Sequence, residues 1–223
     1  MKVLVFDTET TGLPKDRNAT PFQHWLYPYI VQFSWLVFDD KEMRITNINN
    51  HVVKLPDGVT IPEEASKIHG ITNEIMMQSG EDIRIVLDSF NEAVKNSQII
   101  VAHNIKFDDK VVQAECVRNK LTNIMTAYPQ KIKYCTMDYG KTITRIEKVS
   151  KFDSRKKYLK PPKLFELHQK MFKTVPNNLH NSLVDVFVCF RCFFAMINNY
   201  DLFDPNIQKD LSQYYNELTQ ISN

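Results

Sequence analysis

Two acidic residues stand at alternate positions directly after the first apolar segment of the chain. The strand face that carries Val3 and Val5 continues into Asp7 and Glu9, since alternate residues of a strand share a face. Two carboxylates that emerge together repel each other, and both stay ionised when cations lie between them. Gly12 follows closely and permits a tight turn or a close approach of the backbone to a ligand. The pattern favours a cation-dependent site over the plainer alternative, a strand-end turn with solvated acids.

A second group of polar residues lies between a short apolar strand, Gln98–Ala102, and the helix predicted to follow it at Phe107–Asn119. In open α/β sheets, ligands collect at such strand-to-helix junctions. Asp108 lines up with the apolar residues four and eight positions later, so it is a better candidate for an inward carboxylate than its neighbour Asp109. The alternative, that one of the two acids simply caps the helix, stays open on the sequence alone.

A fourth candidate carboxylate heads the apolar stripe of a helix predicted at Leu183–Ile197. Asp185 aligns with Cys189 and Cys192, so its side chain should point inward, and a buried carboxylate needs a partner or a metal. His180 precedes it by five residues, which is about 140° around a continuous helix. The two side chains can therefore cooperate only if His180 lies in the loop before the helix.

The composition is that of a folded protein. Of 223 residues, 43% are hydrophobic and 11% aromatic, which excludes a disordered chain. The net charge of +2 gives no reason by itself to expect a polyanionic partner. The first apolar run is too short for a signal peptide, and no segment reaches the roughly 18 apolar residues of a membrane span. Four scattered cysteines favour a reducing compartment over a disulfide scaffold. We therefore expect an intracellular, cytoplasmic protein with no membrane association.

The hydrophobic periodicity predicts strands first and then alternating strands and helices, which indicates an α/β domain on a mixed sheet. The predicted strands are Lys2–Phe6, Tyr29–Phe38, Arg44–Lys54, Gln98–Ala102 and Tyr134–Thr136. The predicted helices are Glu63–Ile68, Thr72–Met77, Ile83–Lys95, Phe107–Asn119, Lys163–Phe172, Leu183–Ile197 and Ile207–Leu218. We expect one domain over residues 1–200 and a helical tail, 201–223, packed on it or extending from it. His168 has no acidic neighbour in the sequence and is expected at the surface.

Taken together, three segments resemble the motifs of the DEDDh (DnaQ-like) 3′→5′ exonuclease family, relatives of proofreading epsilon subunits. They are FDTETTGL at the first acids, HNIKFD at Asp108 and HNSLVD at Asp185, in the family's order. The segments Lys67–Thr72 and Pro162–Leu167 resemble two further elements of the same family. The resemblance covers about the first 200 residues. It implies a ribonuclease H-like fold, a mixed sheet of about five strands flanked by helices.

The resemblance also implies roles for individual residues. Asp7, Glu9, Asp108 and Asp185 would bind two Mg²⁺ or Mn²⁺ ions, which can clamp the attacking and leaving oxygens of a phosphodiester. His180 would be the general base, because an imidazole can accept a proton at neutral pH. The implied reaction releases nucleoside 5′-monophosphates from the 3′ end of single-stranded or frayed DNA. The implied substrate contacts are Thr10 and Thr11 at the 3′ end, Leu13 as a wedge, and His69, His103, Asn104 and Phe107 along the pocket.

The chain departs from the family pattern in three places. The loop at 14–28 is longer than usual, Lys106 replaces a small residue, and the segment 141–163 is enlarged. The last contains nine Lys or Arg and two acids, so the rest of the chain is net acidic. A basic run is usually a solvated face, but beside a phosphodiesterase site we interpret it as a guide for a nucleic-acid strand.

Three other functions share part of this pattern. A phosphatase of the haloacid dehalogenase type needs Asp-x-Asp, whereas this chain has Glu9 at the second position. An accessory nucleic-acid-binding subunit of a polymerase is disfavoured by the complete set of acids with His180. A 3′→5′ exoribonuclease of the same family stays open, since RNA offers the same terminal phosphodiester. Association with a DNA polymerase and the oligomeric state also stay open.

Overall fold

A computed structural model describes residues 1–153 and 155–220 of the chain. Its centre is a six-stranded sheet in the strand order β4-β3-β2-β1-β5-β6. In chain order the strands are β1 (Lys2–Thr10), β2 (Ile30–Asp39), β3 (Arg44–Lys54), β4 (Glu81–Asp82), β5 (Ile99–Ala102) and β6 (Ile132–Cys135). β1, β2 and β3 pair antiparallel, while β5 lies parallel to β1 and β6 parallel to β5. The predicted mixed sheet is confirmed, with the two-residue β4 as a sixth strand.

Helices cover both faces of this sheet. They are α1 (Glu63–His69), α2 (Asn73–Ser79), α3 (Ile83–Asn96), α4 (Ile105–Arg118), α5 (Ile124–Ala127), α6 (Thr136–Thr144), α7 (Leu164–Phe172), α8 (Ser182–Asn198) and α9 (Lys209–Thr219). A short 3-10 helix, His24–Leu26, lies within the 14–28 loop. The strands β7 (Glu147–Val149) and β8 (Lys157–Leu159) form a separate antiparallel hairpin inside the basic segment.

The two faces of the sheet bury separate apolar clusters. Leu4 and Phe6 of β1 pack toward α3 and α4, whereas Val3 and Val5 belong to the cluster built around α8. Burying one large apolar side chain stabilises the fold by about 1.5–3 kcal/mol, so the phenylalanines of α8 hold this helix firmly against β1 and β2. Because strand side chains alternate, the residues that follow Val5 on its face point toward α8.

Two local predictions differ from the structure. β1 extends past Phe6 to Thr10, because its backbone pairs with β2 as far as Ile30, and this pairing outweighs the weak strand preference of charged residues. The strand predicted at Tyr134–Thr136 ends at Cys135, and Thr136 begins α6, which the sequence did not predict. The hairpin β7–β8 was not predicted either, since its strands are short and highly charged.

The expectation of a surface position for His168 is wrong. His168 is fully buried under α9, where Nδ1 donates to the Thr174 carbonyl at 2.9 Å and Nε2 accepts from the Tyr215 hydroxyl at 2.8 Å. Burial lowers the pKa of His168 to about 4, which keeps the ring neutral for these two bonds. Phe203 and Tyr215 join the cluster around α8, so the C-terminal residues up to 220 pack onto the sheet's helical layer. The division of the chain at residue 200 stays a prediction.

No described helix has the length and apolar character needed to cross a membrane. All four cysteines are buried and free of disulfides. Cys189 and Cys192 lie on the inner face of α8, as core thiols do.

Candidate active site

Asp7 and Glu9 lie at the end of β1, on the face covered by α8. Their backbone partners on β2 are Ser34 and Gln32, two polar residues in a strand that is otherwise apolar up to its last residue, Asp39. β5, the parallel neighbour of β1, ends close by, and ligands of α/β sheets collect outside such carboxyl ends. The two acids are therefore fixed by strand pairing with β2, just beyond the point where the pairing of β1 with β5 ends at Val5.

Asp108 reaches the same place from the first turn of α4. Its Oδ1 accepts hydrogen bonds from the Thr8 hydroxyl at 2.7 Å and the Thr8 N–H at 3.2 Å, and only 3% of the residue is exposed. The neighbouring Asp109 instead pairs with Lys133 at 2.6 Å. The helix-cap alternative is excluded for both acids, because the N-cap of α4 is Asn104 in the left-handed conformation.

Asp185 lies in the first turn of α8, with His180 in the loop before the helix. The His180 N–H donates to Asp185 Oδ2 at 3.1 Å, and the left-handed backbone of His180 (φ 69°) makes this bond possible. Glu9, His180 and Asp185 each offer a ligand atom, and these atoms lie within 4.8 Å of one another. Geometrically, this is a candidate divalent-metal site.

A polar network that the sequence analysis missed holds α8 in register with β2. Gln32 accepts from the Ser182 N–H at 3.1 Å, and the hydroxyls of Ser34 and Ser182 lie 2.6 Å apart. The Asn181 side chain caps the helix by accepting from the Leu183 N–H. The available signal was the pair of polar residues, Gln32 and Ser34, at alternate positions of a buried strand.

The four carboxylates are held close together and influence one another's ionisation. Burial, with the charges of Asp108, Asp185 and Glu9, raises the pKa of Asp7 well above its usual range. Burial and the neighbouring carboxylates raise the pKa of Glu9 to about 9. Burial likewise raises the pKa of Asp108 and of Asp185 to about 7, against the lowering effect of the hydrogen bonds from Thr8 and His180.

Within the described residues, no Lys or Arg forms an ion pair with any of these four acids. Like charges at this spacing are stable at neutral pH only when a cation compensates them. An all-oxygen donor set of this kind suits Mg²⁺ or Mn²⁺, so the residues present fit divalent metal ions.

A groove of about 500 Å³ opens from Glu9 along the loop after β1 and along α1. Five of the predicted substrate residues line it, namely Thr10, Thr11, Leu13, His69 and Phe107. The Thr10 hydroxyl donates to the Gly12 carbonyl, and the Thr11 hydroxyl accepts from the Tyr29 N–H, so both threonines also brace the loop. Gly12 has a φ of 146°, a conformation that favours glycine.

The other two predicted substrate residues lie outside the lining of this groove. Both ring nitrogens of His103 are engaged, Nδ1 with the Thr136 hydroxyl at 2.9 Å and Nε2 with the Pro162 carbonyl at 3.1 Å. Burial lowers the pKa of His103 to about 4. His103 therefore ties the end of the basic segment to the loop before α4. Asn104 lines a neighbouring groove on the other side of Phe107.

The fold and the cluster of carboxylates point to a nuclease, and the family comparison agrees. The RNase T family model, described as an exonuclease, matches residues 4–193. The chain therefore belongs to this exonuclease family, within the DnaQ-like 3′→5′ group that its three motifs resemble. It is a nuclease, and the predicted ribonuclease H-like fold is confirmed.

Relatives in sequence include two subunits of DNA polymerase III. The epsilon subunit of Buchnera aphidicola subsp. Acyrthosiphon pisum (strain APS) is 28% identical over 207 residues, covering 92% of this chain and 77% of the relative. The epsilon subunit of Buchnera aphidicola subsp. Schizaphis graminum (strain Sg) is 26% identical over 217 residues, covering 96% and 83%.

Solved structures of Exonuclease I share the fold. The E. coli enzyme in complex with a dT13 oligonucleotide matches with a TM-score of 0.65 and 18% identity, covering 96% of this chain. Exonuclease I from Methylocaldum szegediense matches with a TM-score of 0.64 and 20% identity. The chain spans 43% and 42% of the length of these two structures.

Proposed function

We propose that this protein removes nucleotides one at a time from the 3′ end of single-stranded or frayed DNA, releasing nucleoside 5′-monophosphates. The observation that carries the proposal is the convergence of four carboxylates from β1, α4 and α8, which form no ion pair with any Lys or Arg of the described residues. A groove of about 500 Å³ begins at Glu9 beside them and can take the terminal nucleotide. The names of the relatives support DNA, since they are subunits of DNA polymerase III and an Exonuclease I bound to dT13.

Asp7, Glu9, Asp108 and Asp185 are the proposed ligands of two Mg²⁺ or Mn²⁺ ions. When bound, such ions neutralise the charge that develops on the phosphodiester and lower the pKa of a coordinated water. Thr8 orients Asp108 through two hydrogen bonds, and the His180 N–H orients Asp185. A ligand held by such a partner loses little conformational freedom on binding.

His180 is the proposed general base. Its ring is exposed, close to Glu9 and Asp185, and its backbone is fixed by the hydrogen bond to Asp185. It takes the proton of the attacking water as the oxygen bonds to phosphorus and the bond to the 3′ oxygen of the preceding nucleotide breaks. The left-handed backbone of His180 and its hydrogen bond to Asp185 place the start of this side chain beside the carboxylates.

The groove beside Glu9 is the proposed site of the terminal nucleoside. Leu13 is 76% exposed and stands with Phe107 at the groove wall, where an apolar surface can pack against a base. The backbone around Thr10 and Thr11 offers polar groups to the sugar and the 3′ hydroxyl. His69 is buried at the groove floor, and its Nδ1 accepts from the Ile71 N–H.

The basic segment is the proposed guide for the strand upstream of the scissile bond. Lys148, Lys151 and Lys156 are exposed on or between β7 and β8, and Phe152 at the tip is fully exposed. The contact of Pro162 with His103 anchors the end of this segment next to the site. Exposed cations with an aromatic side chain are typical of sequence-independent single-strand binding.

A DNA polymerase is the proposed partner, and the support is the kinship with epsilon subunits. Copurification with a polymerase subunit from the source cell, or stimulation of proofreading on its addition, tests this association. The association would be contradicted if the isolated chain binds and trims DNA equally well with and without the polymerase and does not copurify with it.

A direct assay tests the function. A 5′-labelled oligonucleotide in Mg²⁺ should shorten stepwise from its 3′ end, and EDTA should stop the reaction. The same sequence as RNA, run alongside, tests the exoribonuclease alternative, which predicts faster trimming of RNA than of DNA. Failure to trim either substrate with Mg²⁺ or Mn²⁺ would overturn the proposal.

A further inference from the structure

A second groove, of about 720 Å³, lies next to the first and shares a wall with it. Leu13 and Phe107 line both grooves and form an apolar ridge between them. We call this second depression the flanking groove, and the residues of its lining used below are Leu13, Arg17, Tyr27, Lys106, Phe107 and Lys110. None of the four clustered carboxylates lines it.

The flanking groove is cationic. Arg17 on the 14–28 loop and Lys106 and Lys110 on α4 are exposed, and the two lysines stand one turn apart on the same helix face. The acid in the lining, Asp109, is compensated by Lys133. Within the described ranges, Arg17 and Lys110 form no ion pair. These two cations are therefore available to an anionic ligand.

The wall that carries Arg17 is firmly built. Arg118 donates to the carbonyls of His24 and Tyr27 at 2.8 and 3.1 Å and pairs with the buried Glu115 at 2.5 Å. The Tyr27 hydroxyl donates to the Ala19 carbonyl at 2.6 Å. The enlarged loop therefore has a fixed position along the groove, which a loop without a role in binding does not need.

The position of the ridge indicates which anion the groove accepts. A terminal nucleotide whose phosphate lies at Glu9 fills the first groove, and its base points toward Leu13 and Phe107. In a duplex, the group beyond that base is the complementary base, followed by the backbone of the complementary strand. The cleaved strand itself continues from the carboxylates and reaches the flanking groove only by crossing the ridge.

We propose that the flanking groove binds the phosphates of the uncleaved strand at a duplex end, with the Leu13–Phe107 ridge between the two separated strands. This inference rests on the proposed function and names its substrate class, a frayed or mismatched duplex end. Separating a terminal base pair costs free energy, least for a mismatch, and contacts with the second strand offset this cost.

The test compares one 5′-labelled strand alone and annealed to its complement. The variant is Arg17→Gln/Lys110→Gln, and a matched control that removes the same charge is Lys170→Gln/Lys209→Gln, exposed lysines on α7 and α9. We expect kcat/KM on the duplex to fall about tenfold in the variant, since each lost phosphate contact weakens binding roughly threefold. Activity on the single strand should stay within about twofold, and the control should match the wild type on both substrates.

Binding in EDTA separates this inference from the function it rests on. We expect the variant to bind duplex more weakly, with a log–log salt slope smaller by about 2. Equal losses on both substrates, or no loss on the duplex, would overturn the flanking-groove assignment. A wild-type protein that trims nothing yet binds duplex through Arg17 and Lys110 would overturn the exonuclease function and leave the groove assignment standing.

Discussion

The hydroxyl of Thr8 lies 2.7 Å from Oδ1 of Asp108, and this hydrogen bond joins β1 to α4 at the carboxylate cluster. Thr8 points to the opposite side of the sheet from its neighbours Asp7 and Glu9, toward α4. The strand therefore supplies two carboxylates on one face and the orienting group for a third carboxylate on the other. The order acid, hydroxyl, acid in the first motif thus has a structural reason.

Thr8→Val should keep the fold and weaken the site. The variant removes the hydroxyl that orients Asp108 and helps to hold down its pKa, so we expect the Mg²⁺ dependence to shift to higher concentration and activity to fall about 10–100-fold. Thr8→Ser retains the hydroxyl and should restore most of the activity. A Thr8→Val protein with an unchanged Mg²⁺ titration would contradict a positioning role.

The metal-free protein should lose stability as the pH rises. The pKa values of Asp108 and Asp185 are raised to about 7 and that of Glu9 to about 9, all above their unfolded values. Between the unfolded and folded values the native state binds more protons than the unfolded state, so the free energy of unfolding falls with rising pH. Thermal unfolding in EDTA should therefore show a midpoint that decreases from about pH 5 to about pH 9.

Two controls define that experiment. Saturating Mg²⁺ should flatten or reverse the trend, because bound cations favour the ionised carboxylates. Asp108→Asn should make the decrease in EDTA shallower, because one of the raised carboxyl groups is removed, whereas Asp88→Asn, at an exposed residue of α3, should leave it unchanged. A midpoint in EDTA that stays level or rises over this range contradicts the like-charge cluster.

Much of the site follows from the sequence, since each carboxylate stands at the start or end of a strongly periodic element. Asp185 heads an apolar stripe, and the five-residue spacing correctly requires His180 to lie outside the helix. The polar support at Gln32 and Ser34 does not follow, because it depends on which residues of β2 face the acids of β1. The buried position of His168 depends likewise on where α9 packs. The short β7–β8 hairpin has too few apolar residues to show the alternating hydrophobic pattern of a strand.

Arg118→Met should destabilise the protein and release the 14–28 loop. It leaves the buried Glu115 without its cation, which typically reduces the free energy of unfolding by about 3–5 kcal/mol. Chemical denaturation measures this loss, and limited proteolysis should show faster cleavage between residues 14 and 28. The double variant Arg118→Met/Glu115→Gln should recover part of the free energy of unfolding, because no buried charge is left unpaired. It should not recover the resistance of the 14–28 loop to proteolysis. Wild-type stability and proteolysis for Arg118→Met would refute this anchor.

The basic segment should contribute to affinity and not to chemistry. Lys148→Gln/Lys151→Gln/Lys156→Gln should weaken single-strand binding about thirtyfold and reduce its salt slope by about 2, because three phosphate contacts are lost. The rate at saturating DNA should stay near that of the wild type. Lys120→Gln/Lys170→Gln/Lys209→Gln removes the same charge elsewhere and should leave binding unchanged. An unchanged salt slope in the Lys148/Lys151/Lys156 variant would show that the basic segment does not contact DNA.

The most direct test of the carboxylate site is the rate at which the first nucleotide leaves the 3′ end of 5′-labelled single-stranded DNA in Mg²⁺. We expect this rate to fall at least about 1000-fold in Asp7→Ala and in His180→Ala, each with a thermal midpoint close to that of the wild type. Asp88→Asn should cleave at the wild-type rate. Substantial residual cleavage by folded Asp7→Ala would contradict the metal-binding role of the cluster and with it the proposed mechanism.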